Sequence, residues 1–134
     1  MTETKLVEFD KSIGAEESFW HDYNLQISSE LLDQFSINDW TDLKQIIFER
    51  PQYWQARCAE AIGYLDNKSS VDMLISFLES QYLSVAAIAA TELDNMSISL
   101  PRGSENRLLE ILDFLKGNRS SRCDDLQRLI ARLG

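Results

Sequence analysis

Trp40-Thr41-Asp42-Leu43-Lys44-Gln45-Ile46-Ile47 carries its large apolar residues at i, i+3, i+6 and i+7, the spacing of one helix face. A shift of 31 residues lays this face on a second one: Trp40 falls on Val71, Leu43 on Leu74, Ile46 on Phe77 and Ile47 on Leu78. The same shift pairs Trp54 with Val85, Cys58 with Ala89, Ile62 with Leu93 and Leu65 with Met96. One offset thus aligns two helix faces and preserves the turn between them. A looser third copy maps Leu74, Phe77 and Leu78 onto Leu108, Ile111 and Leu112 at a shift of 34. Ala89, Leu93 and Met96 map onto Leu126, Ile130 and Leu133 at a shift of 37. A single helical hairpin cannot bury its apolar face alone, and about three stacked units make a stable core. The expectation is an all-α fold of stacked antiparallel helical hairpins, an α-solenoid of about three repeats over residues 36–134. With 134 residues the chain fits one domain, 1–134, in which 1–35 is a separate N-terminal segment.

Working outward, Arg50 precedes Pro51, which disfavours helix at Arg50 and suits the start of a new one. Asp66-Asn67-Lys68-Ser69 reads as a loop, and Ser69 with Asp72 resembles a capping box. Pro101-Arg102-Gly103-Ser104 opens the helix of Leu108 to Leu115, and Gly117 suits a left-handed position at its end. The last helix spans roughly Ser121 to Leu133. In the N-terminal segment, Lys5-Leu6-Val7-Glu8-Phe9 reads as a short strand or an extended arm. Ala15 to Tyr23 has a helical look, anchored by Phe19 and Trp20, and Ile27 to Phe35 reads as a helix. The segment is either a cap over the first repeat or a docking arm, since aromatic anchors among acids suit an interface.

Acids outnumber bases 22 to 13, a net charge of −9. The excess is uneven: residues 1–50 hold 11 acids and 4 bases, 51–100 hold 6 and 2, and 101–134 hold 5 and 7. Binding to phosphates needs clustered Lys and Arg, so this balance argues against nucleic acid and against anionic membrane surfaces. It favours a basic protein partner, whose encounter it would speed by steering. No apolar run reaches the roughly 18 residues of a membrane span, and the first residues lack the pattern of a signal peptide. A cytoplasmic location is expected. Cys58 and Cys123 are far apart, outside any CxxC pair, and read as reduced thiols with Cys58 in the core.

No GxxxxGK[ST] loop, GxGxxG turn or HExxH motif is present. The single histidine, His21, lies between Trp20 and Asp22 and reads as a surface residue without metal-ligand partners at the usual spacing. Glu16-Glu17 and Asp124-Asp125 are adjacent carboxylates that point apart on a helix and make poor acid–base pairs. Asp39, Asp42, Asp72, Asp124 and Asp125 suit helix N-termini through the dipole. No enzyme, cofactor, metal site or catalytic residue is expected.

Trp54-Gln55-Ala56-Arg57-Cys58-Ala59-Glu60-Ala61-Ile62-Gly63 resembles the inner helix of short HEAT-like repeats, whose pattern runs apolar, Arg, two variable residues, Ala, two variable residues, Ala, Leu, Gly. Gln55 and Ala86 depart from it where Arg is expected, and Glu92 departs where a small residue is expected. The resemblance covers roughly residues 37–134 and implies that the second helix of each hairpin lines a concave binding face. On that basis Gln52, Tyr53, Gln55, Glu60 and Tyr64, with Asp66, Glu92 and Asp94, are the candidate partner-binding residues. In size, acidity and the Arg50-Pro51-Gln52-Tyr53-Trp54-Gln55-Ala56-Arg57 opening, the chain also resembles immunity proteins of bacterial contact-dependent growth-inhibition systems. That resemblance implies a protein that neutralises a basic, nuclease-type toxin domain by occlusion. The alternative is a non-catalytic adaptor or scaffold in a host protein complex.

Overall fold

A computed structural model describes residues 4–134, and every regular element among them is helical. In chain order these are α1 (Lys5–Ile13), α2 (Asp22–Asp33), α3 (Ile37–Ile46), α4 (Gln52–Ile62), α5 (Lys68–Phe77), α6 (Leu83–Asn95), α7 (Glu105–Gly117) and α8 (Cys123–Ala131). The chain forms two compact units, one ending at Met73 and the other running from Leu74 to Gly134.

In the first unit the segment Lys5–Phe9, expected as a strand or arm, is helix. Thr4 caps it, its Oγ1 accepting from the Val7 N–H at 3.2 Å. Phe9 and Ile13, one helical turn apart, bury the inner face, and this i, i+4 pair outweighs the strand-like Leu-Val-x-Phe composition. Gly14 ends the helix at φ 77°, where a side chain would be strained. Residues 15–21, expected as helical, are instead irregular up to Asp22. Leu25, Ser28, Ser29 and Leu32 form the buried stripe of α2. Ser28 meets Ser12 of α1 at 2.7 Å, and Ser29 donates to the Ala61 carbonyl of α4 at 2.8 Å. Ser36 and Asp39 cap α3 reciprocally, and Trp40, Leu43 and Ile47 are buried. A 3-10 turn, Ile47–Glu49, leads to Pro51 and α4. At α5 the reciprocal cap is Asn67 with Ser70, not Ser69 with Asp72, because the helix starts two residues earlier than expected.

In the second unit, α6, α7 and α8 all pack against one another. Leu108, Ile111, Leu112 and Leu115 of α7 and Leu126 and Leu129 of α8 are buried as their periodicity requires. Helices α6 and α7 each end in a left-handed residue, Ser97 at φ 57° and Arg119 at φ 52°. The following N–H groups, of Ile98 and Ser120, return to the carbonyls of Leu93 and Leu115. Gly117, expected in that left-handed position, is the last helical residue, and Arg119 takes the role.

Candidate interaction surface

Helix α4 organises the first unit because it is buried on more than one side. Seven of its eleven residues are buried: Trp54, Gln55, Arg57, Cys58, Ala59, Ala61 and Ile62. Arg57, only 9% exposed, reaches across to the loop after α1. Its Nη1 donates to the Ile13 and Ala15 carbonyls at 2.9 Å each and to Ser18 Oγ at 3.2 Å. Its Nη2 donates to the Glu16 and Ser18 carbonyls at 3.1 and 3.0 Å. The guanidinium also lies 5.4 Å from the Trp20 ring centroid and 5.1 Å from that of Tyr53. A planar fork of five donors suits a turn that presents several carbonyls at once. Trp54 Nε1 donates to Asp10 at 2.8 Å, so α4 is tied to α1 as well.

This arrangement changes the reading of the candidate partner-binding residues. Tyr53 is half-buried, and its hydroxyl donates to the Gly14 carbonyl at 3.2 Å. Gln55 is fully buried, its amide donating to the Arg50 carbonyl at 2.9 Å. Glu60 is half-buried and accepts from Trp20 Nε1 at 2.9 Å. In the other unit Asp94 is 7% exposed and lies 2.9 Å from Arg128 and 3.0 Å from Arg132. The Asp94 hydrogen bond raises the pKa of Arg128. Gln55 and Asp94 are therefore structural, because a buried polar group must be satisfied internally and is not on offer to a partner. Glu92 is half-buried on α6. Gln52, Tyr64 and Asp66 remain exposed.

Tyr64 and Asp66 do come together, in an open groove of about 340 Å³ between the end of α4 and the outer face of α2. Gln26, Ser29, Glu30, Asp33 and Leu65 complete its walls. Tyr64 is 66% exposed. On α2, Tyr23, Gln26, Glu30 and Asp33 form a stripe at i, i+3, i+7 and i+10, opposite the buried one. The helix contains no Lys or Arg, and among the described residues no cation pairs with Glu30, Asp33 or Asp66. Their field is uncompensated, as expected in a unit that holds 14 acids and 6 bases up to Met73. The stripe was readable as the polar complement of the α2 core face. Its meeting with Tyr64 depends on the packing of α2 against α4.

Among the described residues no three His, Cys, Asp or Glu side chains converge as metal ligands would, and no helix is long and apolar enough to cross a membrane. Cys58 is buried, as its place in the repeat predicts, and burial pushes its thiol well above the ordinary value. Cys123 is partly exposed. Ellman's reagent is therefore expected to modify Cys123 readily in the native protein and Cys58 only after unfolding in denaturant. Rapid modification of both thiols without denaturant would contradict the core position of Cys58.

No protein-family model, no curated protein and no solved structure matches this chain.

Proposed function

We propose that this chain is a non-catalytic binding protein that neutralises a basic, nuclease-type bacterial toxin domain by occluding it, working in the cytoplasm as a HEAT-like stack of helical hairpins. The observation that carries the reading is the α2–α4 groove, where an exposed tyrosine stands beside three carboxylates that lack a cationic partner. Tyrosine gives large contact area at low entropy cost, and unpaired carboxylates select and steer a basic surface.

The test is nuclease activity of a purified basic toxin domain with and without a stoichiometric excess of the chain. Inhibition is expected, and Tyr64→Ala should weaken binding by about 1–2 kcal/mol. Glu30→Lys with Asp66→Lys should slow association and remove most of its dependence on salt. A toxin that stays fully active in the presence of excess protein sinks the reading.

A further inference from the structure

The unit from Leu74 to Gly134 carries an opening of opposite chemistry. Ser84, Ala87 and Ile88 on α6 face Phe114 and Leu115 on α7 across a groove of about 320 Å³, and Asn118, Ser120 and Arg122 close one end. The volume lies at the low end of the ~300–1,000 Å³ typical of ligand pockets, room for a few side chains and not for a whole helix. Small residues on the α6 wall, Ser84 and Ala87, leave the Ile88 and Phe114 side chains only partly covered.

Some cations of this unit are committed internally and others are not. Arg107 is committed to the Leu78 and Ser80 carbonyls and to Glu110. Arg128 and Arg132 are committed to Asp94. Among the described residues, the side chains of Arg102, Lys116, Arg119 and Arg122 have neither an ion pair nor a hydrogen bond. Three of these four fall within residues 116–122, and Arg122 is the one that lines the groove. Lys116 has a local reason to be there, since it complements the C-terminal end of α7.

The two arginines have none. Arg119 occupies the left-handed conformation at φ 52°, where glycine or asparagine would be less strained. Arg122 is the N-cap of α8, the positive end of the helix dipole, where a cation is disfavoured and Ser, Thr, Asp or Asn is preferred. Asp124 and Asp125 follow Arg122 closely in sequence, but neither pairs with these cations, Asp125 being held by Arg128 and Thr91. A cation placed against local preference on the wall of an unfilled apolar groove, as Arg122 is, marks a site whose compensation comes from outside the chain.

We infer that the α6–α7 groove docks an extended segment of a partner protein in which an acidic residue neighbours a large apolar side chain. The apolar side chain enters between Ile88 and Phe114, and the carboxylate meets Arg122. This second surface belongs to the other unit and has the opposite sign to the acidic groove.

The test uses the full chain and fluorescence anisotropy of a fluorescein-labelled peptide of alternating aspartate and leucine, at physiological salt so that the chain's overall negative charge is screened beyond ~8 Å. Saturable binding is expected. Replacing aspartate by lysine, or leucine by serine, should each weaken it by about tenfold or more. Arg122→Glu, a change at a half-buried side chain without a partner that circular dichroism should find folded, is expected to weaken it about tenfold, and Ile88→Glu to do the same through the apolar wall. The inference falls if the aspartate–leucine peptide does not bind saturably. It falls equally if the serine peptide binds as well, which would mean charge alone, or if Arg122→Glu binds like the wild type.

Discussion

Replacing Arg57 with methionine is expected to destabilise the unit that ends at Met73 by about 3 kcal/mol. Methionine keeps most of the volume but removes the Arg57 donor from the carbonyls of Ile13, Glu16 and Ser18, while Ala15 keeps the Ser18 N–H and hydroxyl. It also removes the cation held between the Trp20 and Tyr53 rings. Partial rehydration of an exposed loop keeps the loss below the sum of five separate charged hydrogen bonds. Arg57→Lys should recover less than half, because a single ammonium cannot span carbonyls that a planar fork reaches together. All three tryptophans, Trp20, Trp40 and Trp54, precede Met73, so urea unfolding followed by tryptophan fluorescence reports on this unit. A loss under about 1 kcal/mol would mean that the loop holds itself, the range of an ordinary surface change.

Phe9→Ala is expected to cost about 3–5 kcal/mol by the same measurement. Phe9 is fully buried and meets Phe35 and Trp54 edge-on, with ring centroids at 5.9 and 6.0 Å. Phe35 in turn meets Trp40 at 5.4 Å, so one aromatic cluster joins α1, the end of α2, α3 and α4. Removing its centre leaves a cavity whose rigid ring walls cannot collapse. A loosely attached arm would lose far less, within about 0.5 kcal/mol, as surface positions do. The experiment therefore asks whether residues 4–35 are an inseparable part of the first unit's core.

The two predictions concern residues whose importance was differently visible. Trp54, Cys58, Ala61 and Ile62 announced a buried helix face by spacing alone, and they are buried. Leu108, Ile111, Leu112 and Leu115 did the same for α7. Arg57 gave no such sign, because its acceptors lie 39–44 residues away and belong to a turn with no periodicity. Gln55 and Asp94 looked like surface residues because they are polar and off the apolar stripe. They are buried because the Arg50 carbonyl in one case and Arg128 with Arg132 in the other satisfy them internally. Tyr64 and Asp66 are legible as exposed, whereas the place of Glu30 and Asp33 beside them depends on how α2 packs against α4.

By itself the sequence determined that the chain is helical, where most helices lie, much of the core from Trp40 onward, and that its first half is strongly acidic. These properties follow from local spacing and composition, which every residue carries with it. Only the tertiary structure decided which polar residues are spent inside the protein, which carboxylates are left without cations, and where apolar grooves stay open. Those outcomes depend on contacts between segments far apart in the chain, and an isolated helix face contains no record of what will cover it.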